Sequence, residues 1–180
     1  MIVNIIALII IVVILIFGSI ALIGAPYVPS KGADVEHAFS KLYPLNENDL
    51  LIDFGAGDGH ILKYATSHGA SAIGVEINPL MVLIARINLR HTPATVVCAN
   101  YLNFTFPEKT TVVYTFGDSR DIYKIYQKIK HEATRLDRPL YFISYAFNIH
   151  GVKPIKKSGP FFLYKVFPLS ISPDSEAKIP

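Results

Sequence analysis

The sequence predicts an α/β fold: a mostly parallel sheet of six to seven strands with helices on both faces, preceded by one transmembrane helix. Three observations carry this. Short apolar runs alternate with longer stretches of helical periodicity, the first of those runs passes straight into a glycine-rich turn, and an uncharged apolar stretch opens the chain. Regular β/α alternation with near-continuously apolar strands is the pattern of a parallel sheet covered on both sides.

The opening stretch comes first. Residues Ile2 to Ile23 carry no charge, and only Asn4, Gly18 and Ser19 are not plainly apolar. At about 1.5 Å per residue the run spans roughly 30 Å, the thickness of a bilayer core. A cleaved signal peptide would need a basic start and an apolar run of only about 7 to 15 residues. Here no Lys or Arg precedes Lys31, so a retained anchor is the favoured reading. The excess of Lys and Arg follows the C-terminal end of this run. That bias predicts a single-pass protein with its globular part on the cytoplasmic, or organelle-interior, side. The expected organisation is an anchor over 1–24, a Pro/Gly linker over 25–33, and a globular domain over 34–180. About 150 residues are enough for one domain with a real core.

The linker, Gly24-Ala25-Pro26-Tyr27-Val28-Pro29-Ser30-Lys31-Gly32, holds two prolines and flanking glycines that forbid a continuing helix. Val35, Ala38, Phe39 and Leu42 then recur at helical spacing after Asp34. Strands are expected at Leu50–Ile52, Ser71–Val75, Thr95–Cys98, Thr111–Thr115, Leu140–Tyr145 and Phe161–Phe167. Helices are expected at His60–His68, Leu80–Leu89 and Ile122–Leu136. Asn78-Pro79 marks a helix start, because Asn suits the N-cap and Pro the first helical position. Residues 151–160 read as a Lys-rich loop.

Charge and cysteine content narrow the classes. A net charge of +3 is mild; the basic residues between Arg120 and Lys165 suit either solvated faces or anionic headgroups near the anchor. The single cysteine, Cys98, cannot form an internal disulfide, and no Cys/His cluster has metal-ligand spacing. No metal site is expected.

The chemistry lies at the first strand's end. Asp53-Phe54-Gly55-Ala56-Gly57-Asp58-Gly59 turns from a strand into a helix, the crossover where open α/β sheets bind ligands. Glycine lets the backbone turn tightly and come near a ligand that a Cβ would exclude. The second strand ends in Glu76, about twenty residues on, where a carboxylate can accept both hydroxyls of a ribose. Nicotinamide cofactors use G-x-G-x-x-G with a pyrophosphate on the helix N-terminus. Here the glycines alternate and Asp58 sits within the loop. That carboxylate repels a pyrophosphate and favours the amino and sulfonium cations of S-adenosylmethionine.

These residues resemble the class I methyltransferase family, whose first motif is an acidic residue, an apolar residue and G-x-G-x-G. The resemblance covers about residues 45 to 145. It implies a Rossmann-like class I methyltransferase fold for 34–180 and S-adenosylmethionine as cofactor. The contacts it implies fall on Asp53, Phe54, Gly55, Ala56, Gly57, Gly59, Glu76, Ile77, Asn100 and Tyr101. The family's third strand usually ends in an acidic residue beside the adenine, and Asn100 departs from it while keeping the ability to pair with a base edge. The anchor followed by Ala25-Pro26-Tyr27-Val28-Pro29 is similar to the small membrane-bound protein-lysine methyltransferases, which include the mitochondrial ATP synthase c-subunit lysine methyltransferase. That similarity implies that Tyr27 and Pro29 border the catalytic cleft, and that a protein at the membrane is the substrate.

No Asn/Asp-Pro-Pro-Tyr follows the fourth strand, which ends Tyr114-Thr115-Phe116-Gly117-Asp118; methylation of bases or glutamine, and a nucleic-acid partner, are therefore not expected. Asp118 either meets a substrate cation or caps the next helix. Tyr145 and Phe147 either line an aromatic cleft or belong to the core, and Met81 and Cys98 read as core. His60 either touches the cofactor or lies at the surface. Two other functions fit the same residues: methylation of a small or lipid-like acceptor, and a non-catalytic nucleoside-binding module held at a membrane.

Overall fold

The computed structural model describes residues 4–8, 10–11, 32–116 and 121–169. Residues 4–8 and 10–11 are helical with exposed side chains. Among the described residues no helix is long and apolar enough to cross a membrane. The remainder of the expected anchor lies outside them, as do Tyr27, Pro29 and Asp118.

Seven strands form one sheet: β1 (Leu50–Phe54), β2 (Ser71–Glu76), β3 (Thr95–Cys98), β4 (Val112–Thr115), β5 (Leu140–Tyr145), β6 (Lys156–Ser158) and β7 (Phe161–Val166). Their order is β3-β2-β1-β4-β5-β7-β6. The first five are parallel, while β7 runs antiparallel to both β5 and β6. The helices are α1 (Gly32–Lys41), α2 (His60–Ser67), α3 (Pro79–Asn88) and α4 (Ile122–Arg135). The mostly parallel sheet agrees with the sequence pattern. β6 replaces part of the expected loop: its Lys-Lys-Ser shows no apolar alternation, because it is an edge strand, where lysines guard unpaired backbone groups.

Successive strand residues point to opposite sides, and the core divides accordingly. Leu51, Ala72, Val112 and Ile143 meet α1, α2 and α3 through Phe39, Leu62, Ala65, Val82 and Ala85. Ile52, Phe54, Val113 and Phe142 meet α4 through Ile122, Ile125, Ile129 and Ala133. The α4 residues recur at helical spacing and so share one face. Burial of a side chain such as Ile129, fully enclosed, contributes about 1.5–3 kcal/mol.

Glu132 also lies on that inward face, only 2 % exposed. Lys128 and Arg135 each donate to it at 2.8 Å, and the Phe106 amide at 3.3 Å. Burial pushes its carboxyl up, but those hydrogen bonds outweigh it and hold the pKa below the ordinary value. Arg135 donates in turn to the Phe106 carbonyl. This network ties α4 to the segment entering β4.

Two local expectations change. Cys98 is exposed rather than core, because β3 is an edge strand with only Val96 buried. The N-cap position of α4 is Asp121, not Asp118, and its carboxylate pairs with Lys124 at 3.0 Å instead of capping the helix.

Candidate cofactor cleft

Strand order reverses between β1 and β4, and the loops leaving neighbouring strands there part and open a crevice at the carboxyl ends. The glycine loop leaves β1 into this crevice. Gly55, Gly57 and Gly59 all have positive φ, at 79°, 52° and 84°, a region L side chains rarely enter. Nothing lies within 4 Å of where a Gly55 Cβ would stand, so the backbone there faces open space. Gly59 serves packing instead, since a Cβ would meet Leu89 at 2.8 Å.

Gly74, in the middle of β2, has a packing role that the sequence reading misses. A Cβ on it would meet the Ala56 Cβ at 2.6 Å and Leu62 at 2.7 Å. The missing side chain lets the glycine loop settle against the sheet. The signal for it is present in the sequence, because a glycine inside a strand often marks close approach of another segment.

Glu76, at the end of β2, accepts the Gly57 amide at 3.0 Å through Oε2 and the Asn78 amide at 2.8 Å through Oε1. Its carboxylate therefore shapes the loop directly. Asn78 Oδ1 accepts from the amides of Leu80 at 3.0 Å and Met81 at 3.4 Å, the cap expected for α3. Asp58 Oδ1 accepts from the His60 amide at 3.1 Å, and Asn88 donates to the Asp58 carbonyl at 3.0 Å. The loop is thus fastened to the starts of α2 and α3 and to the end of α3.

Asp53, at the end of β1, is 2 % exposed. Burial pushes its pKa well up, and the nearby charges of Glu76 and Asp58 push it further. Three carboxylates thus gather around one glycine loop. A cationic ligand would relieve that arrangement and a pyrophosphate would worsen it.

The other expected contacts are partly gathered. Ile77 is 46 % exposed beside Glu76, an apolar surface able to lie against a flat ring. Asn100 is exposed, its Oδ1 accepting the Leu102 amide at 2.9 Å. Tyr101 stacks on Phe54 with ring centroids 5.0 Å apart, and burial, then the charge of Asp121, raises its hydroxyl pKa. The Phe54 ring is buried on the α4 side of the sheet, which leaves its backbone to meet a ligand. At the ends of β4 and β5, Phe116 and Tyr145 stack at 4.6 Å, and Phe161 meets Tyr145 edge-on at 4.7 Å. Phe147 instead packs partly into the core on the α4 side. Ala146, next to Tyr145, has φ of 66°.

Residues 52–139 match the family model described as a methyltransferase domain. That match covers slightly less than half of this chain. Its fold is shared with an RNA methyltransferase from Salinibacter ruber solved with S-adenosyl-L-homocysteine, at a TM-score of 0.67 and 24 % identity over 82 % of this chain and 98 % of that one. A putative methyltransferase from Escherichia coli superimposes at a TM-score of 0.60 and 20 % identity, over 80 % and 90 %. Among curated proteins, the ATP synthase c-subunit lysine N-methyltransferase of Rattus norvegicus is 29 % identical over 111 residues, 59 % of this chain and 50 % of that protein. The Homo sapiens protein of the same name is 28 % identical over 111 residues, 59 % and 46 %. The chain therefore spans half or less of the length of these relatives.

Proposed function

We propose that the chain is an S-adenosylmethionine-dependent methyltransferase, held at a membrane by residues 2–23, that methylates a lysine side chain of a membrane or membrane-associated protein. The observation that carries the cofactor is the buried Asp53 carboxylate set beside Glu76 and Asp58. It suits a ligand with an amino and a sulfonium cation. Glu76 would accept the ribose hydroxyls, Ile77 and Asn100 would meet the adenine, and the open backbone at Gly55 would take the amino-acid end. When bound, the cofactor supplies an electrophilic methyl carbon.

The chain's own task is then to present a neutral amine in line. The acceptor nitrogen forms a bond to the methyl carbon as the carbon–sulfur bond breaks, and the resulting ammonium sheds one proton to water. A lysine has an unperturbed pKa of about 10.4, which an apolar, water-poor wall lowers. Phe116 and Tyr145 supply such a wall at the ends of β4 and β5, and Tyr27 and Pro29 would complete it. Alignment of this kind is worth roughly 7 kcal/mol at the lower end of well-oriented cases. The names of the curated relatives support lysine as acceptor, and the uncharged run 2–23 supports the tether and a catalytic domain on the cytoplasmic or organelle-interior side.

Titration calorimetry of the full chain in detergent micelles, with S-adenosylmethionine and with NAD, tests the cofactor. Binding of the former, largely lost in Glu76→Ala, is the expected result. Tight binding of NAD alone would refute it. Methyl radiolabel from the cofactor should then appear in a protein band of the native membrane. Label confined to extracted lipid would overturn the lysine acceptor.

A further inference from the structure

On α3 and at its C-cap, Val82, Ala85 and Leu89 are buried in the core, while Leu80, Leu83 and Ile87 are 37 %, 55 % and 52 % exposed. At about 100° per residue the latter three form one stripe on the side away from the core. Arg86 and Arg90 stand along one border of this stripe, the border facing β3, where Arg86 donates to the Val96 carbonyl at 3.2 Å. Between that border and β3 lies a pocket of about 380 Å³ lined by Arg86, Arg90, Thr92 and Thr95. Both arginines are exposed. An apolar stripe edged by cations and hydroxyls matches a layered partner, hydrocarbon beside an anionic headgroup.

We infer that the outer face of α3 rests on the bilayer, with Leu83 and Ile87 in its interfacial layer and the Arg86–Arg90 pocket holding the phosphate of an anionic phospholipid. The occupant follows from the chain itself. Residues 2–23 are long enough to span a bilayer core, and residues 24–31 separate them from α1. Eight residues reach at most about 28 Å, so the domain stays close to the membrane. The tether enters at α1, which lies on the same face of the sheet as α3. That face is therefore the one turned to the lipid. The inference rests on the anchor reading of residues 2–23.

The chain contains no tryptophan, so one can be introduced as the sole reporter. Full-length Leu83→Trp would be reconstituted into vesicles of phosphatidylglycerol and phosphatidylcholine brominated along the acyl chains. Tyr123→Trp, at an exposed site on α4, reports the opposite face. Quenching should be strong at position 83 and weak at 123. Two arginines at an anionic surface favour the docked orientation about thirtyfold. Quenching at 83 should therefore fall in pure phosphatidylcholine, and equally with Arg86→Gln and Arg90→Gln combined. Equal quenching at both positions, or indifference to headgroup and arginines, would overturn the inference while leaving the anchor intact. A chain that fails to float with vesicles would refute the anchor, and the inference with it.

Discussion

Replacing Gly74 with Ala tests whether the sheet dictates the position of the glycine loop. The added Cβ would stand 2.6 Å from the Ala56 Cβ and 2.7 Å from Leu62 Cδ1. Leu62 can change rotamer, but Ala56 can retreat only by moving the loop backbone. That backbone is pinned on both sides, by the Gly55 amide on the Val75 carbonyl at 2.9 Å and the Gly57 amide on Glu76 at 3.0 Å. Overpacking of this kind costs about 1–3 kcal/mol. For a chain of this size that lowers Tm by roughly 2–4 °C per kcal/mol, readable by calorimetry. Affinity for S-adenosylmethionine should fall as well, since the displaced segment is the one proposed to face it. Ala56→Gly in the same background removes one partner of the clash and should restore part of both, even though a glycine itself costs about 0.5–1 kcal/mol. The reasoning fails if Gly74→Ala leaves Tm and affinity unchanged, or if Ala56→Gly only adds its own loss.

Two further outcomes follow from the buried carboxylates. Glu132→Ala breaks a buried network and should cost about 3 kcal/mol, roughly 6–12 °C in Tm, with cofactor affinity little changed. Because the Glu132 pKa is held low in the fold, its contribution is present above the ordinary value of 4.5 and lost as pH falls through the lowered one. Wild type and variant should therefore converge in acid melts. Asp53→Asn has the opposite sign. Its folded pKa is raised above 3.8, so the wild type loses stability as pH rises from there through the raised value. The variant should melt higher than wild type at neutral pH, with the gap closing in acid, while binding S-adenosylmethionine more weakly; a lower neutral Tm would contradict the burial argument.

Much of this was legible in the sequence because it rests on local rules. The alternation of apolar runs located six strands, Asn78-Pro79 located a cap, and the spacing from Gly55 to Glu76 pointed to two segments that do meet, through the Gly57 amide and Glu76. What escaped depends on contacts between distant segments. Nothing in the sequence marks Glu132 as buried; its place follows from Lys128, Arg135 and the Phe106 amide beside it. Cys98 reads as core until β3 proves to be the edge of the sheet. β6 owes its existence to β7, against which three polar residues find backbone partners. The meeting of Phe116 with Tyr145 requires that β4 and β5 be neighbours, which periodicity alone does not say.

The engagement of Glu76 has a counting consequence. A carboxylate offers about four lone-pair positions, and the amides of Gly57 and Asn78 occupy one on each oxygen. One position per oxygen is left, and a vicinal diol brings one donor for each. The loop can therefore keep its own fastening while the ligand is held, and neither must be surrendered for the other. If the proposed ribose is held there, a ligand missing one hydroxyl would leave one of those positions unused.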